Sequence, residues 1–138
     1  MNTYGKIIFL IVLTALAGCG SSVNRNVPAI IGVWEGIDPN GAKMTFTFRP
    51  NNTVSLVIVG KETINCTGKY IIKTSKNPMW IDLYEFDHES LKGGAFRGLI
   101  AFENENFLRL EGSFGNKKRA RGRPSSFSDS SYKLSRVQ

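Results

Sequence analysis

The sequence predicts an all-β domain, an eight-stranded antiparallel up-and-down β-barrel, on three observations. From Ile30 onward, no stretch carries apolar residues at helical spacing for long enough to bury a helix face. Period-two alternation recurs instead about every eight to twelve residues, with turn-forming residues between the runs. Eight such runs fit within residues 30–138, and closing them into a barrel removes the exposed edges on which strands aggregate. Composition agrees: 41% hydrophobic and 21% charged residues are enough for a packed core and unlike a disordered chain.

The first strand, over 31–37, carries Trp34 and ends at Asp38-Pro39-Asn40-Gly41, where Pro fixes φ and Asn-Gly accepts positive φ. The second, over 43–49, alternates Met44, Phe46 and Phe48 on one face with Thr45, Thr47 and Arg49 on the other. Pro50-Asn51-Asn52 turns the chain into Thr53–Val59, whose Val54, Leu56 and Ile58 share a face, and Gly60-Lys61-Glu62 turns it again. Thr63–Lys73 puts Ile64, Cys66, Gly68, Tyr70 and Ile72 on one parity, and Gly68 marks a bulge or bend that helps the sheet curl. The remaining strands are 79–86, Ala95–Phe102, Phe107–Glu111 and, after a basic, Ser-rich segment over 112–131, the last strand over 132–137.

An eight-stranded barrel is either filled by its own side chains or holds one small ligand. Phe46, Phe48, Tyr70, Phe96 and Phe102 are the candidate lining of such a pocket, with Trp80 and Tyr84 beside them, and the same aromatics at strand spacing also make an ordinary core. The parity of Cys66 with Ile64 and Ile72 points to burial.

Ahead of the domain, Lys6 precedes an uncharged apolar stretch over 7–17, the pattern of an export signal. Its eleven residues reach only ~17 Å as a helix, short of a ~30 Å hydrocarbon core, so it does not span a membrane. Leu16-Ala17-Gly18-Cys19 resembles the lipobox of bacterial lipoproteins, which implies a signal peptide over 1–18 and a diacylglycerol on the sulfur of Cys19. Acyl chains, palmitate among them, contribute ~0.8 kcal/mol per buried CH₂ and anchor a protein to a membrane without a spanning helix. Gly20 is not the Asp that retains such proteins at the inner membrane, so the resemblance implies attachment at the outer membrane, facing the periplasm. Residues 19–29 read as the lipidated N-terminus and a polar tether, and 30–138 as the barrel domain.

Several short stretches, taken in order, are similar to the lipocalin-like domain of small exported bacterial proteins. Gly32-Val33-Trp34 resembles the Gly-x-Trp that opens the first lipocalin strand, and Arg136 stands where that family keeps a basic side chain over the Trp ring. Asn77-Pro78 with Ile81-Asp82-Leu83, Gly98-Leu99-Ile100 before the turn at 103–106, and Arg123-Pro124 with Phe127 resemble further segments of the bacterial group. The chain departs from secreted lipocalins in being shorter and in lacking a Cys pair and a helix before the last strand. The resemblance implies a Trp34–Arg136 structural pair and a general capacity to bind a small apolar or amphipathic ligand or lipid. A fold alone does not establish a function.

Lys117, Lys118, Arg119, Arg121 and Arg123 form one marked basic run and supply most of the net charge of +7. In an exported protein this run faces anionic envelope components rather than nucleic acid. One His and two Cys are too few for a Cys/His zinc site or a disulfide framework, and neither a metal nor a cofactor is expected. His88, flanked by Asp87 and Glu89, has no Ser elbow to activate, and Asp82, Glu85 and Glu103 have no spacing that singles out an acid–base pair, so no enzyme is expected. Two functions follow: a lipid-anchored barrel carrying an apolar ligand, or a cavity-free interaction, assembly or inhibitor module acting through its basic 112–131 segment.

Overall fold

The computed structural model describes residues 29–115 and 122–138. The leader, Cys19, and Lys117, Lys118, Arg119 and Arg121 lie outside the described residues. The strands are β1 Gly32–Ile37, β2 Lys43–Phe48, β3 Thr53–Val59, β4 Thr63–Lys73, β5 Met79–Tyr84, β6 Ala95–Phe102, β7 Phe107–Glu111, β8 Phe114–Gly115 and β9 Tyr132–Arg136. Antiparallel neighbours run β5-β4-β3-β2-β1-β9-β7-β6, and pairing of β5 with β6 closes the ring of eight. This is the barrel that the alternation predicts.

Alternation becomes inside and outside through register. Trp34 faces Phe46, Phe46 faces Leu56, and Leu56 faces Cys66, so one inward row crosses four strands. All four are buried, while Thr45, Thr47, Asn65 and Thr67, one residue away, point to the other face. On the opposite side, Leu83 is paired with both Tyr70 and Phe96, and Leu108 with Leu134. These rows meet in one apolar cluster inside the ring.

Two details depart from the sequence expectation. β5 stops at Tyr84 because Glu85 takes φ 55°, which ends the extended run and swings Phe86 back into the core. Gly68 makes room for it: a Cβ there would stand 2.7 Å from the Tyr84 carbonyl oxygen and 2.8 Å from Cδ1 of Phe86. The second departure is β8, which pairs Phe114 with Phe96 in the register set by Glu111 opposite Leu99. It therefore prolongs the line of β7 past a break at Gly112, and is an addition to the eight-stranded ring.

Cys66 is a free, buried thiol 3.7 Å from the Leu56 carbonyl oxygen. Burial, helped by the negative charge of Asp87, pushes it up to about 11, which leaves little nucleophilic thiolate at neutral pH.

Candidate functional site

Of the five aromatics singled out as a pocket lining, Phe46, Phe48 and Tyr70 pack on one another, while Phe96 and Phe102 pack on other rings. Phe46, Phe48 and Phe96 are at most 1% exposed. Phe46 stacks on Phe48 at 6.0 Å, Phe48 meets Tyr70 edge-on at 5.1 Å, and Phe102 meets Trp34 edge-on at 6.2 Å. The Tyr70 hydroxyl donates to the Arg49 carbonyl at 2.9 Å, so its polar tip is also engaged. Phe96 lies 5.1 Å from Phe114 and 6.2 Å from Tyr132. Trp80 and Tyr84 are not inside with them: Ile81 and Leu83 take the inward parity of β5, which puts Trp80 and Tyr84 on the outer wall.

Trp34 and Arg136 form a register pair across β1 and β9, with the guanidinium 4.2 Å above the indole. Trp34 donates from Nε1 to the Ile30 carbonyl at 2.7 Å. Arg136 donates to the carbonyls of Ala29 at 2.6 Å, Ile31 at 2.8 Å and Glu105 at 2.9 Å. One fork-shaped side chain thus ties the incoming chain, the last strand and the β6–β7 turn together.

The segment before β9 is built onto the barrel. Its described part, 122–131, forms a strap across the outside of β5, β6 and β7. Arg123 donates to the Asp82 carboxylate at 2.5 Å, to the Ile81 carbonyl at 3.2 Å and to the Gly98 carbonyl, and lies 4.5 Å over Trp80. Arg123 is therefore turned onto the wall and committed there, unlike a free charge on a solvated loop. Farther along, Arg109 lies 5.1 Å over Phe127 and donates to the Ser128 carbonyl at 3.0 Å. Leu99 shows what the strap accomplishes. It is outside the core cluster yet 1% exposed, and it sits in register between Trp80 and Glu111, the two residues gripped by Arg123 and by Ser128.

Glu111 is the second clamp. One carboxylate oxygen accepts from the Ser128 backbone N–H at 2.7 Å, the Ser128 hydroxyl at 2.8 Å and the Ser131 hydroxyl at 2.7 Å. Partial burial raises its pKa, but these hydrogen bonds and the Arg109 charge outweigh that and hold it below its ordinary 4.5. A carboxylate lowered on folding stabilises above its unfolded pKa, and that contribution is lost as pH falls through the lowered folded value. Acidification below the usual carboxylate range is thus expected to loosen the strap, seen as lower amide-exchange protection factors at Ser128 and Ser131, and Glu111→Gln should flatten that response.

Around Trp80 the outer wall gathers positive charge. Lys76 lies 4.8 Å and Lys73 5.6 Å from the ring that Arg123 also covers. A groove of about 270 Å³ opens beside it, lined by Ile71, Asp82, Tyr84, Ala95 and Arg97. Among the described residues, no group of three or more His, Cys, Asp or Glu side chains could hold a metal ion. Comparison of the chain with family models, curated proteins and solved structures yields no match.

No local pattern in the sequence marks the clamp itself, yet several of the short stretches that resemble the bacterial group converge on it. Ile81, Asp82, Gly98, Arg123 and Phe127, drawn from three of those stretches, meet at the strap. The signal was an acid on an outward parity of β5 matched by a lone Arg-Pro beyond β8. Nothing local marked Glu111 as the other anchor.

Proposed function

We propose that this chain is a lipid-anchored protein of the bacterial cell envelope whose lipocalin-like barrel acts as an interaction module through its outer wall. The observation that carries this reading is where the barrel's chemistry sits. The inward rings are in contact with one another, whereas Trp80, Lys73, Lys76 and Arg97 stand on the outside beside an open groove. The anchor rests on Cys19 in Leu16-Ala17-Gly18-Cys19 behind an apolar leader, ten residues before the first described residue. An anionic component of the envelope is the partner that the wall's charge suits.

The other use of such a barrel, carrying a small apolar or amphipathic molecule inside, needs Phe46, Phe48, Tyr70, Phe96 and Phe102 to part from their present neighbours. Native mass spectrometry of the protein purified from its host separates the two readings. The expected result is a polypeptide starting at Cys19 with covalent acyl chains and no further mass. A stoichiometric lipid that leaves only on denaturation would overturn the outer-wall reading in favour of a carrier.

A further inference from the structure

We infer that the outer wall of β4, β5 and β6 docks on the anionic phospholipid surface to which the chain is anchored, with Trp80 at the contact and Lys73 and Lys76 over the headgroups. The inference deepens the preceding reading and takes its lipid anchor as given.

The first support is unbalanced charge. Lys73 and Lys76 converge on one indole that Arg123 already covers, and Asp82 is committed to Arg123. Among the described residues no carboxylate lies within ion-pair distance of Lys73, Lys76 or Arg97; Asp82, which faces Arg97 in register, is turned to Arg123, and Glu85 on the same flank is held by Lys69 at 2.5 Å. Cations gathered without counter-charge repel one another unless an external anion sits among them. Apolar and aromatic surface lies within the same flank: Ile71, between Lys69 and Lys73 on the outward parity of β4, is 47% exposed, and Tyr84 lines the groove. Indole rings beside lysines are suited to the boundary between headgroups and acyl chains, the ring entering and the ammonium groups staying with phosphate.

The second support is where the tether enters. Antiparallel strands reverse direction at each step, so the start of β1, the end of β4 and the start of β5 share one rim of the barrel. Lys73 and Trp80, the last register pair of β4 and β5, lie at that rim. Ten residues from Cys19 to Ala29 reach at most ~35 Å, so in an anchored barrel the point where the chain enters this rim stays within about one domain diameter of the bilayer. Glu103 and Glu105 occupy the neighbouring β6–β7 turn, so the barrel leans onto the β4–β5 flank instead of standing squarely on its rim.

Trp80 reports on the contact directly, because the only other tryptophan, Trp34, is fully buried beneath Arg136. The protein purified from its host is reconstituted into vesicles of phosphatidylcholine alone or mixed with phosphatidylglycerol, in each case with brominated acyl chains. Quenching of Trp80 is expected in the mixed vesicles, much less in pure phosphatidylcholine, and reversal by high salt. Each of Lys73→Ala and Lys76→Ala should lower the ratio of docked to free barrel about fivefold. Both lysines are exposed, so the fold should survive these changes, and an unchanged melting temperature checks that it has. Unquenched Trp80 in mixed vesicles overturns the docking. The intact mass of the same sample reports Cys19 acylation separately: acylated but unquenched protein refutes docking and keeps the anchor, and quenched but unacylated protein does the reverse.

Discussion

Phe96→Ala is expected to destabilise the domain by about 4 kcal/mol, within the ~3–5 kcal/mol range for deleting a buried ring. The reason is what surrounds the ring. Phe96 is fully buried between Phe114 and Tyr132, and its edge fills space left by two glycines. A Cβ at Gly112 would stand 2.9 Å from its Cζ, and one at Gly98 would collide with its Cε1. Gly112, at φ 152°, and Gly98 have no side chains with which to collapse into the void, so the cavity would stay open. A domain of this size should lose roughly 15–20 °C of melting temperature. The outcome also separates two roles for the ring. A residue that lines a vacant pocket costs little stability when truncated, so a drop of only a few degrees with loss of a bound lipid would assign Phe96 to a ligand.

The contrast between Phe96 and Arg123 shows which parts of this molecule were legible in its sequence. Period-two alternation is a local property, and wherever one face is buried it sets register as well. Met44-x-Phe46-x-Phe48 therefore announced both a strand and its inner face, and Trp34, Phe46, Leu56 and Cys66 fell into one row. Glu85 broke the rule at the end of β5, because a left-handed residue leaves no trace in hydropathy. Residue type alone groups Trp80 and Tyr84 with the inward aromatics, while parity against Ile81 and Leu83 sends them outward. The strap was least visible. Its anchors pair residues about 17 to 42 positions apart, Ser128 with Glu111 and Arg123 with Ile81, and a contact of that separation has no periodic signature. What remains readable is an oddity: an Arg-Pro and a Phe within residues 122–131, which are otherwise Gly, Ser and one Asp. Such exceptions inside a polar connection are where tertiary contacts should be sought.

Arg136→Ala is expected to cost about 3 kcal/mol, and to do so with little dependence on salt. Its partners are three backbone carbonyls and the face of Trp34, not a carboxylate, so no exposed ion pair is there for electrolyte to screen. Being exposed to solvent, the three hydrogen bonds together contribute on the order of 2 kcal/mol after exchange with water, and the cation–π contact ~0.5–2 kcal/mol. Arg136→Lys should recover less than half of the loss, because an ammonium cannot reach Ala29, Ile31 and Glu105 together in the geometry of the guanidinium fork. A cycle with Trp34→Phe isolates the ring contact, with an expected coupling of ~1 kcal/mol. Chemical denaturation in low and high salt measures all three quantities, and a strong salt dependence would contradict the assignment to carbonyl partners. The position of these bonds gives them a mechanical meaning. Ala29 and Ile31 are where a membrane tether would pull on the barrel, and Arg136 fastens that entry to the closing strand and the β6–β7 turn. Amide exchange should accordingly accelerate first at the start of β1 and the end of β9 in Arg136→Ala, while the strap clamps at Asp82 and Glu111 stay protected.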